Sequence, residues 1–320
     1  MKIHRNILVP CNAVLCCALW GLIFPFMSKL YNSFCPTGPG VGDMLMMAGI
    51  RFIGTGLLLL LITEVMGKHP FRIARDRKLL RKAALFGLLE TSVQYALLYF
   101  SMLWLTGDRG SLLNTTNAFF SVLLAHFFCK NDRLTVRKVL GCISGILGTI
   151  ILLGGSGETG TFEGDILMLG AALSFAAANI LCQRVSQEIE PVTLTGWQML
   201  FGGTVLLLCG VLTGGDLSAG KSDAWMWMAF FIFLSAAPFS IWSWLLSQNN
   251  VSSVGIYTCL VPVIGVLCTA LMNGTPIEAK VLISLLFVSA GVVIINFTLH
   301  PKHPTPKPGQ PLRKHRPSNC

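Results

Sequence analysis

Glu90 is an acidic residue that lies well inside an apolar stretch of the chain, residues 83–105. Gln94 and Ser101 follow it at the i+4 and i+11 positions, which places the three side chains along one face of a helix with 3.6 residues per turn. Because an ionisable group in hydrocarbon is costly, this face is expected to point to a cavity or a partner helix. The stripe could bind a ligand or exchange protons, or it could only hold neighbouring helices together by hydrogen bonds.

Arg51 is the partner that charge suggests for Glu90, but the two residues are expected to lie far apart. Each stands seven residues into its own apolar stretch, and consecutive stretches run in opposite directions. At a rise of ~1.5 Å per residue in a core of ~30 Å, the gap between them is about 10 Å. The sequence therefore predicts no direct salt bridge. Arg51 is expected to extend towards the interface or to line the mouth of a cavity, and Glu90 is a candidate for proton exchange or for a structural hydrogen bond in its neutral form.

A second polar group occupies the fourth apolar stretch, at Asn114, Thr115 and Asn117. The chain also carries a weak internal repeat, and its offset places Tyr257 and Thr258 at the positions of Asn114 and Thr115. A binding site between two repeats needs polar groups at matching places. The alternative is that these side chains only form hydrogen bonds between packed helices.

Aromatic side chains supply a different kind of binding surface. Trp20 and Tyr95 could stack on a flat or cationic ligand. Trp and Tyr also concentrate where a membrane meets water, which is the expectation for Trp242 and Trp244 near the inner end of the eighth stretch. The candidate binding residues are Trp20, Glu90, Gln94, Tyr95, Asn114, Thr115, Asn117, Tyr257 and Thr258.

Catalytic and metal-binding motifs are missing from the sequence. It contains no HExxH, GxSxG or CxxC, and most of the 11 cysteines lie in or beside apolar stretches, where cysteine behaves as a small hydrophobic residue. Residues 155–160 match GxGxxG, but they follow an apolar helical stretch where a dinucleotide site needs a strand. We therefore expect no catalytic residue, no metal site and no cofactor.

Ten apolar stretches must position the candidate side chains. Hydrophobic residues make up 53% of the chain and charged residues 12%, too little charge to cover a soluble globule of 320 residues. The stretches that could cross a core of ~30 Å are residues 7–27, 44–65, 83–105, 112–129, 139–153, 166–181, 192–211, 224–246, 254–272 and 281–297. The sequence therefore predicts an all-α membrane protein with ten transmembrane helices.

The net charge of +10 marks the two sides of a membrane and does not indicate a nucleic-acid partner. Most Lys and Arg residues lie near the N-terminus, in alternate loops such as residues 68–82, and in the C-terminal tail. Under the positive-inside rule both termini and this loop are cytoplasmic, while Glu158 and Glu163 face outwards. We expect a multi-pass protein of the cell (cytoplasmic or inner) membrane.

The repeat aligns Ala18–Trp20 with Ala172–Ser174, and Asp132–Thr135 with Thr275–Glu278. Each half then holds five helices, so the second half must enter the membrane in the opposite direction. The predicted organisation is a first five-helix repeat over residues 1–155, a second over 156–298, and a basic tail over 299–320. This tail is rich in Pro, Lys and His, which predicts disorder near anionic lipid headgroups.

The order of several motifs resembles the drug/metabolite transporter superfamily, in its EamA-type branch. The matching residues are Trp20-Gly21, Arg51-Phe52, Asp132–Thr135 with Gly141, Gly145 and Gly148, then Gly164-Asp165, Pro262-Val263 and Gly291. The resemblance covers residues 7–298 and implies two inverted halves, a central cavity lined mainly by helices 1, 3, 4, 6, 8 and 9, and alternating access without ATP. The chain departs from the family at Gly274-Thr275, where Gly-Glu is usual, and at Phe119-Phe120, where a proline is expected. The second departure suggests that the two halves flex unequally.

This resemblance implies a secondary transporter that moves small metabolites, amino-acid-like compounds or drugs across the membrane, in the direction of export. Glu90 and Arg51 are then the candidates for ion coupling. A nucleotide-sugar-type carrier of the same superfamily is the nearest alternative, and a non-transporting receptor or a channel is the alternative from another class. The expected partners are a small-molecule substrate and the lipid bilayer, with the protein a monomer or homodimer.

Overall fold

The computed structural model describes residues 2–130, 132–153, 160–218, 220–274 and 276–296, and these are almost entirely helical. The helices are α1 (Lys2–Phe34), α2 (Val41–Val65), α3 (Arg77–Gly87), α4 (Gln94–Ser101), α5 (Gly107–Asn114), α6 (Thr116–Phe128), α7 (Val136–Leu153), α8 (Phe162–Val185), α9 (Pro191–Leu212), α10 (Ala224–Gln248), α11 (Val251–Gly255), α12 (Leu260–Asn273) and α13 (Ala279–Asn296). A π-helical turn, Leu88–Val93, joins α3 to α4, and a 3-10 turn, Ile256–Cys259, joins α11 to α12. The predicted basic tail and the loop around Glu158 lie outside the described residues.

The protein is an all-α membrane protein, as the sequence predicts. Nine helical segments among the described residues are long and apolar enough to cross a membrane. The predicted fourth crossing consists of two shorter helices, α5 and α6, that meet at Thr115. The first helix is longer than predicted, since it continues past Pro25 to Phe34. A proline kinks a membrane helix but seldom ends it, because the chain has no water to satisfy backbone groups that a break would expose.

The two halves meet along a seam between α2 and α9. Three glycines at every seventh position of α2 recur at the same spacing in α9. The seam pairs Gly42 with Gly210, Gly49 with Gly203, and Gly56 with Gly196. A Cβ atom on Gly203 would lie 3.0 Å from the Gly49 carbonyl oxygen, so the two backbones approach as closely as glycine allows. The first glycine of the seam on α2 therefore faces the last one on α9, and the last on α2 faces the first on α9. This is the pattern expected when a two-fold rotation relates the two halves.

The remaining contacts between the halves follow the same inverted symmetry. The first helix, α1, packs against α10 and α12 of the second half, and its counterpart α8 packs against α4 and α6 of the first half. The fifth and tenth crossings, α7 and α13, pack against each other. The predicted pair of inverted five-helix halves is therefore confirmed.

Asp132 lies in the α6–α7 loop of the first half and binds the start of α11 in the second half. Its carboxylate accepts a hydrogen bond from the Ser252 backbone nitrogen at 2.9 Å, is also contacted by the Ser252 hydroxyl, and pairs with Lys138. The Ser252 nitrogen is one of the backbone donors that the first turn of a helix leaves free, and the carboxylate satisfies it. The ion pair between Lys68 and Glu190, at 2.6 Å, joins the halves at the same end of the molecule.

Candidate functional site

Two of the interruptions in the transmembrane helices fall at threonines that are counterparts in the repeat. Thr115 lies between α5 and α6, and its hydroxyl donates to the Leu112 carbonyl at 2.6 Å. Thr258 lies in the 3-10 turn before α12, and its hydroxyl is 2.7 Å from the Gly255 carbonyl. A hydroxyl that bonds to the preceding turn competes with the helical hydrogen bonds and can bend a helix. Each half therefore has a break at the same place.

The two breaks meet at the interface between the halves. Thr258 Oγ1 lies 2.6 Å from Asn117 Oδ1, and both residues are buried. One turn further along α6, Ser121 accepts a hydrogen bond from Asn179 Nδ2 at 3.3 Å, and Asn179 Oδ1 accepts one from Trp242 Nε1 at 2.9 Å. Buried polar groups of α6, α8, α10 and the 3-10 turn are thus brought together in the middle of the bundle.

Asn179 is a central residue that the sequence analysis missed. It is fully buried in α8 and contacts both α6 and α10. A signal for it was available, because an amide within an apolar membrane helix is costly unless it faces a partner. The reasoning that selected Asn117 applies equally to Asn179.

Trp20 is the centre of an aromatic cluster beside these polar groups. Its ring centroid lies 5.1 Å from that of Trp242, 5.4 Å from Phe239 and 6.4 Å from Phe175. Trp242 is only 1% exposed, so the prediction of an interfacial position for it is wrong. Its indole nitrogen finds a buried acceptor, Asn179, and therefore needs no contact with the membrane surface.

The aromatic cluster continues to a buried arginine. Phe239 packs on Phe52 with ring centroids 5.9 Å apart, and Phe52 packs on Tyr95 at 4.7 Å. The guanidinium carbon of Arg51 lies 4.4 Å from the Phe52 ring centroid and 5.8 Å from that of Tyr95. Cation–π contacts of this kind favour a charged group over an aromatic face.

Arg51 lines a narrow crevice instead of reaching for the membrane surface. The residue is 3% exposed, and its Nε atom has no hydrogen-bond partner in the described part of the chain. The crevice is too narrow to hold a water molecule, and its walls include Met27, Tyr31, Met47 and Tyr99. Of the two positions expected for Arg51, the structure therefore shows the one beside a cavity.

Glu90 sits in the π-helical turn of the third crossing. The residue is 3% exposed, and its Oε2 atom lacks a hydrogen-bond partner in the described residues. Within that part of the chain no ion pair joins Glu90 to Arg51, in agreement with the separation predicted from the sequence.

Two neighbouring helices, α8 and α9, hold this π-helical turn by hydrogen bonds. Thr91 Oγ1 donates to Gln198 Oε1 at 2.7 Å, and Ser92 Oγ donates to the Gly202 carbonyl at 3.0 Å. Ser174 of α8 donates to the Leu89 carbonyl at 2.8 Å. A π turn changes the register of a helix and often occurs at functional sites, so the single 3.6-residue face predicted for Glu90, Gln94 and Ser101 does not run straight, although all three are buried.

Gln94, Asn114 and Tyr257 do not form a single hydrogen-bonded group. Gln94 Oε1 and Asn114 Oδ1 are buried atoms without partners among the described residues. Tyr257 is 3% exposed, and its backbone carbonyl accepts from Cys17 Sγ at 3.1 Å. Unpaired buried amide oxygens are costly, and they leave acceptors available to a bound molecule.

Taken together, the contacts involve all six crossings that the family resemblance implies as walls. The first contributes Trp20, the third Tyr95, the fourth Asn117, the sixth Phe175 and Asn179, the eighth Phe239 and Trp242, and the ninth Thr258. The second crossing adds Arg51 and Phe52. Among the described residues, no group of three or more His, Cys, Asp and Glu side chains is placed to hold a metal ion. The arrangement suits non-covalent binding of an organic molecule by stacking, hydrogen bonding and charge.

The model of the EamA-like transporter family matches the chain twice, over residues 8–154 and 162–297. The two matched ranges coincide with the two five-helix halves. Each half therefore matches the same family model, as expected for a duplicated unit.

Bacterial relatives are similar to the chain over most of their length. The uncharacterized transporter YoaV of Bacillus subtilis is 23% identical, over 81% of this chain and 90% of YoaV. The uncharacterized transporter YvbV of the same organism is 24% identical, over 87% and 88%. A protein of Salmonella typhimurium named a probable amino-acid metabolite efflux pump is 25% identical, over 88% and 92%. A crystal structure at 16% identity superposes with a TM-score of 0.70 over 88% of this chain and 97% of that one, which supports the fold.

Proposed function

Since the chain belongs to the EamA-like transporter family, we propose that it is a secondary transporter that exports small metabolites, amino-acid-like compounds or drugs by alternating access. Two halves of inverted topology can rock against each other, so that a site between them opens to one side of the membrane at a time. The glycine seam between α2 and α9 joins the two halves through close backbone contact.

The observation that carries this proposal is the meeting of the two broken helices at Thr258 and Asn117. Secondary transporters commonly place their substrate site near the bilayer midplane, where interrupted helices of the two repeats come together. Irregular backbone is tolerated at membrane depth only where it is buried in protein or lines a cavity. The breaks at Thr115 and Thr258 meet this condition and are related by the repeat.

The proposed substrate site uses three kinds of side chain. Trp20 and Tyr95 supply stacking surfaces, and the aromatic residues that contact them extend this wall. Polar groups that orient the substrate are Gln94, Asn114, Thr115, Asn117, Tyr257 and Thr258. Glu90 and Arg51 are the proposed coupling groups, because each is a buried ionisable side chain without an ion-pair partner among the described residues.

The proposal also covers organisation and location. We place the protein in the cell membrane with both termini in the cytoplasm, on the distribution of Lys and Arg along the chain. The two repeats are assigned to residues 1–155 and 156–298, with a basic cytoplasmic tail over 299–320. Export and amino-acid-like substrates are supported by the name of the Salmonella relative. The functional unit is a monomer or a homodimer.

Proteoliposome assays test the proposal directly. Purified protein is reconstituted, loaded with a metabolite library in pools, and assayed for release and for exchange of labelled compound. A transporter shows saturable flux that unlabelled compound on the opposite side accelerates, because the empty carrier returns more slowly than the loaded one. Flux that rises linearly with concentration would indicate a channel, and binding without flux would indicate a receptor. Either result would refute alternating access.

A further inference from the structure

We propose that the outer face of α3 binds an anionic phospholipid, with the phosphate at Arg77 and Arg81 and an acyl chain along Leu85 and Leu88. The bound lipid belongs to the leaflet that surrounds this end of the protein. The inference requires only that the chain spans a membrane, and it does not depend on the proposed transport.

A group of cations without ion-pair partners lies at the start of α3. Between residues 72 and 81, five Lys and Arg side chains are exposed, and none forms an ion pair within the described part of the chain. Asp76 is the only acidic residue in this segment, and its carboxylate accepts hydrogen bonds from two backbone nitrogens of α3. The segment therefore presents a net positive charge. The five cations are Arg72, Arg75, Arg77, Lys78 and Arg81.

Contacts with the second half hold this segment in place. Lys68 and Lys82, which flank the five cations, pair with Glu190 and Glu188. The 3-10 turn before α3 is also held, because Trp197 Nε1 donates to one of its backbone carbonyls at 3.1 Å. A backbone that is fixed before binding loses less conformational entropy than a free loop does. The cations are thus prepared to bind an anion.

The outer face of α3 continues from cations to exposed leucines. Arg77, Arg81, Leu85 and Leu88 follow one another at i, i+4, i+8 and i+11, which places them on one side of a helix. Leu85 is 49% exposed and Leu88 is 42% exposed, while the residues that α3 buries lie on the opposite side. Positive charge at the end of the third crossing therefore passes directly into apolar surface at membrane depth.

This combination of charge and apolar surface selects the ligand. Charge alone would suit inorganic phosphate or an acidic protein, but neither covers leucines that lie at membrane depth. A zwitterionic phospholipid covers the leucines and brings no net charge to the arginines. An anionic phospholipid does both, and clusters of Lys and Arg beside a membrane helix attract such lipids.

Competition between two lipids with identical acyl chains tests the inference. The purified full chain is freed of lipid in detergent and mixed with equal amounts of dioleoyl phosphatidylglycerol and dioleoyl phosphatidylcholine. Native mass spectrometry then counts the retained lipids. We expect phosphatidylglycerol to be retained about fivefold more than phosphatidylcholine, because the cations attract the anionic headgroup. Equal retention of the two lipids would refute the inference.

A soluble headgroup distinguishes a lipid site from a site for free phosphate. Glycerophosphoglycerol carries the phosphate of phosphatidylglycerol without its acyl chains. Added in the same amount as the lipid, it should leave the retained phosphatidylglycerol unchanged, because it gains nothing from the leucines. Displacement of the lipid would show that the site binds free phosphate and would overturn the assignment. Both of these measurements use the unmodified chain and need no variant.

Substitutions then locate the site. The double variant Arg77→Gln with Arg81→Gln should lower the preference for phosphatidylglycerol about fivefold. Its matched control is Lys130→Gln with Arg133→Gln, which removes the same charge from exposed positions in the α6–α7 loop and should keep the preference. Melting temperatures check that both variants are folded, and exposed substitutions seldom change stability much. A preference that survives in folded Arg77→Gln with Arg81→Gln, or that falls equally in the control, would show that α3 is not the binding site.

Discussion

Thr258 Oγ1 and Asn117 Oδ1 lie 2.6 Å apart and join the interrupted helices of the two halves. Thr258 Oγ1 is also 2.7 Å from the Gly255 carbonyl. A hydroxyl has one hydrogen to donate, so one of the two contacts requires Thr258 to act as the acceptor, which is possible if the Asn117 amide turns its nitrogen towards it. The contact therefore couples the local break in one half to a side chain of the other.

This relationship predicts non-additive effects of substitution. Thr258→Val keeps the shape and removes the hydroxyl, while Asn117→Ala removes the amide. Thr258→Val leaves the Asn117 amide oxygen without its contact, at a cost of about 1–3 kcal/mol, while Asn117→Ala leaves the Thr258 hydroxyl with only the Gly255 carbonyl. Because both single changes remove the same contact, the double variant should lose less than the sum. Melting temperatures in detergent measure this. Thr115→Val is the control, since its hydroxyl bonds only to its own helix backbone. Strict additivity of the pair would show that the contact contributes nothing.

The seam between α2 and α9 predicts sharp intolerance to a single methyl group. A Cβ atom on Gly49 would lie 2.6 Å from the Leu207 backbone nitrogen, so the helices must separate. Overpacking of this kind costs about 1–3 kcal/mol. Gly49→Ala should therefore lower the melting temperature and the yield of folded protein.

Gly54→Ala is the matched control for this seam, on the same helix. Its added Cβ would meet the tip of the Ile232 side chain at 2.5 Å, and a flexible side chain can move away where a backbone cannot. The effect of Gly54→Ala should be clearly smaller. Equal losses in the two variants would mean that the close backbone approach at Gly49 is not what holds the halves together.

Glu90→Gln tests proton coupling, because glutamine keeps the shape and hydrogen-bonding capacity but cannot titrate. If Glu90 couples transport to protons, the variant loses uphill transport driven by a pH gradient and retains exchange at equal concentrations. Proteoliposome flux with and without the gradient measures both. Glu64→Gln, an exposed carboxylate near the end of α2, is the control. A variant with full gradient-driven transport and an unchanged pH profile would make Glu90 a structural residue.

Asp132→Ala is expected to be strongly destabilising. The change leaves Lys138 without its anion and the Ser252 backbone nitrogen without its acceptor, and breaking a buried ion pair costs about 3–5 kcal/mol. Asp76→Ala is the comparison. Asp76 caps α3 by accepting a hydrogen bond from the Lys78 nitrogen at 2.8 Å, and it is exposed. Such caps contribute about 0.5–2 kcal/mol to stability. Thermal melting of both variants should rank Asp132→Ala as the more severe, and a reversed order would show that the Asp132 contacts do not close this end of the molecule.

The proposed orientation predicts which loops are accessible from outside the cell. Single cysteines placed in the loop over residues 68–76 and beside Glu163 are treated with a membrane-impermeant thiol reagent, in a chain whose native cysteines are replaced. The Glu163 position should react in intact cells, and the 68–76 position only after permeabilisation. The reverse pattern would invert the topology.

Much of the fold was determined by the sequence alone. Each apolar stretch must satisfy its own backbone hydrogen bonds in lipid, so it forms a helix whatever its neighbours are. An odd number of helices per half then requires the inverted arrangement, and the cost of a polar group in hydrocarbon selects Glu90, Arg51, Asn117 and Thr258 by residue type and position along the chain. The same periodicity argument failed at residues 88–93, where hydrogen bonds from neighbouring helices hold a π turn.

Only the tertiary structure decided which of these residues meet. Trp242 packs on Trp20 and not at the membrane surface, and Asn179 links α6 to α10. Arg51 faces a crevice without an acidic partner among the described residues. These three arrangements depend on how helices distant in sequence are rotated and crossed. The hydrophobic periodicity of a membrane helix is a poor predictor of which face turns towards the other helices, because lipid and protein neighbours are almost equally apolar. Close approach at Gly49 and Gly203 sets the crossing of α2 and α9, and this non-local packing fixes the positions that the sequence left open.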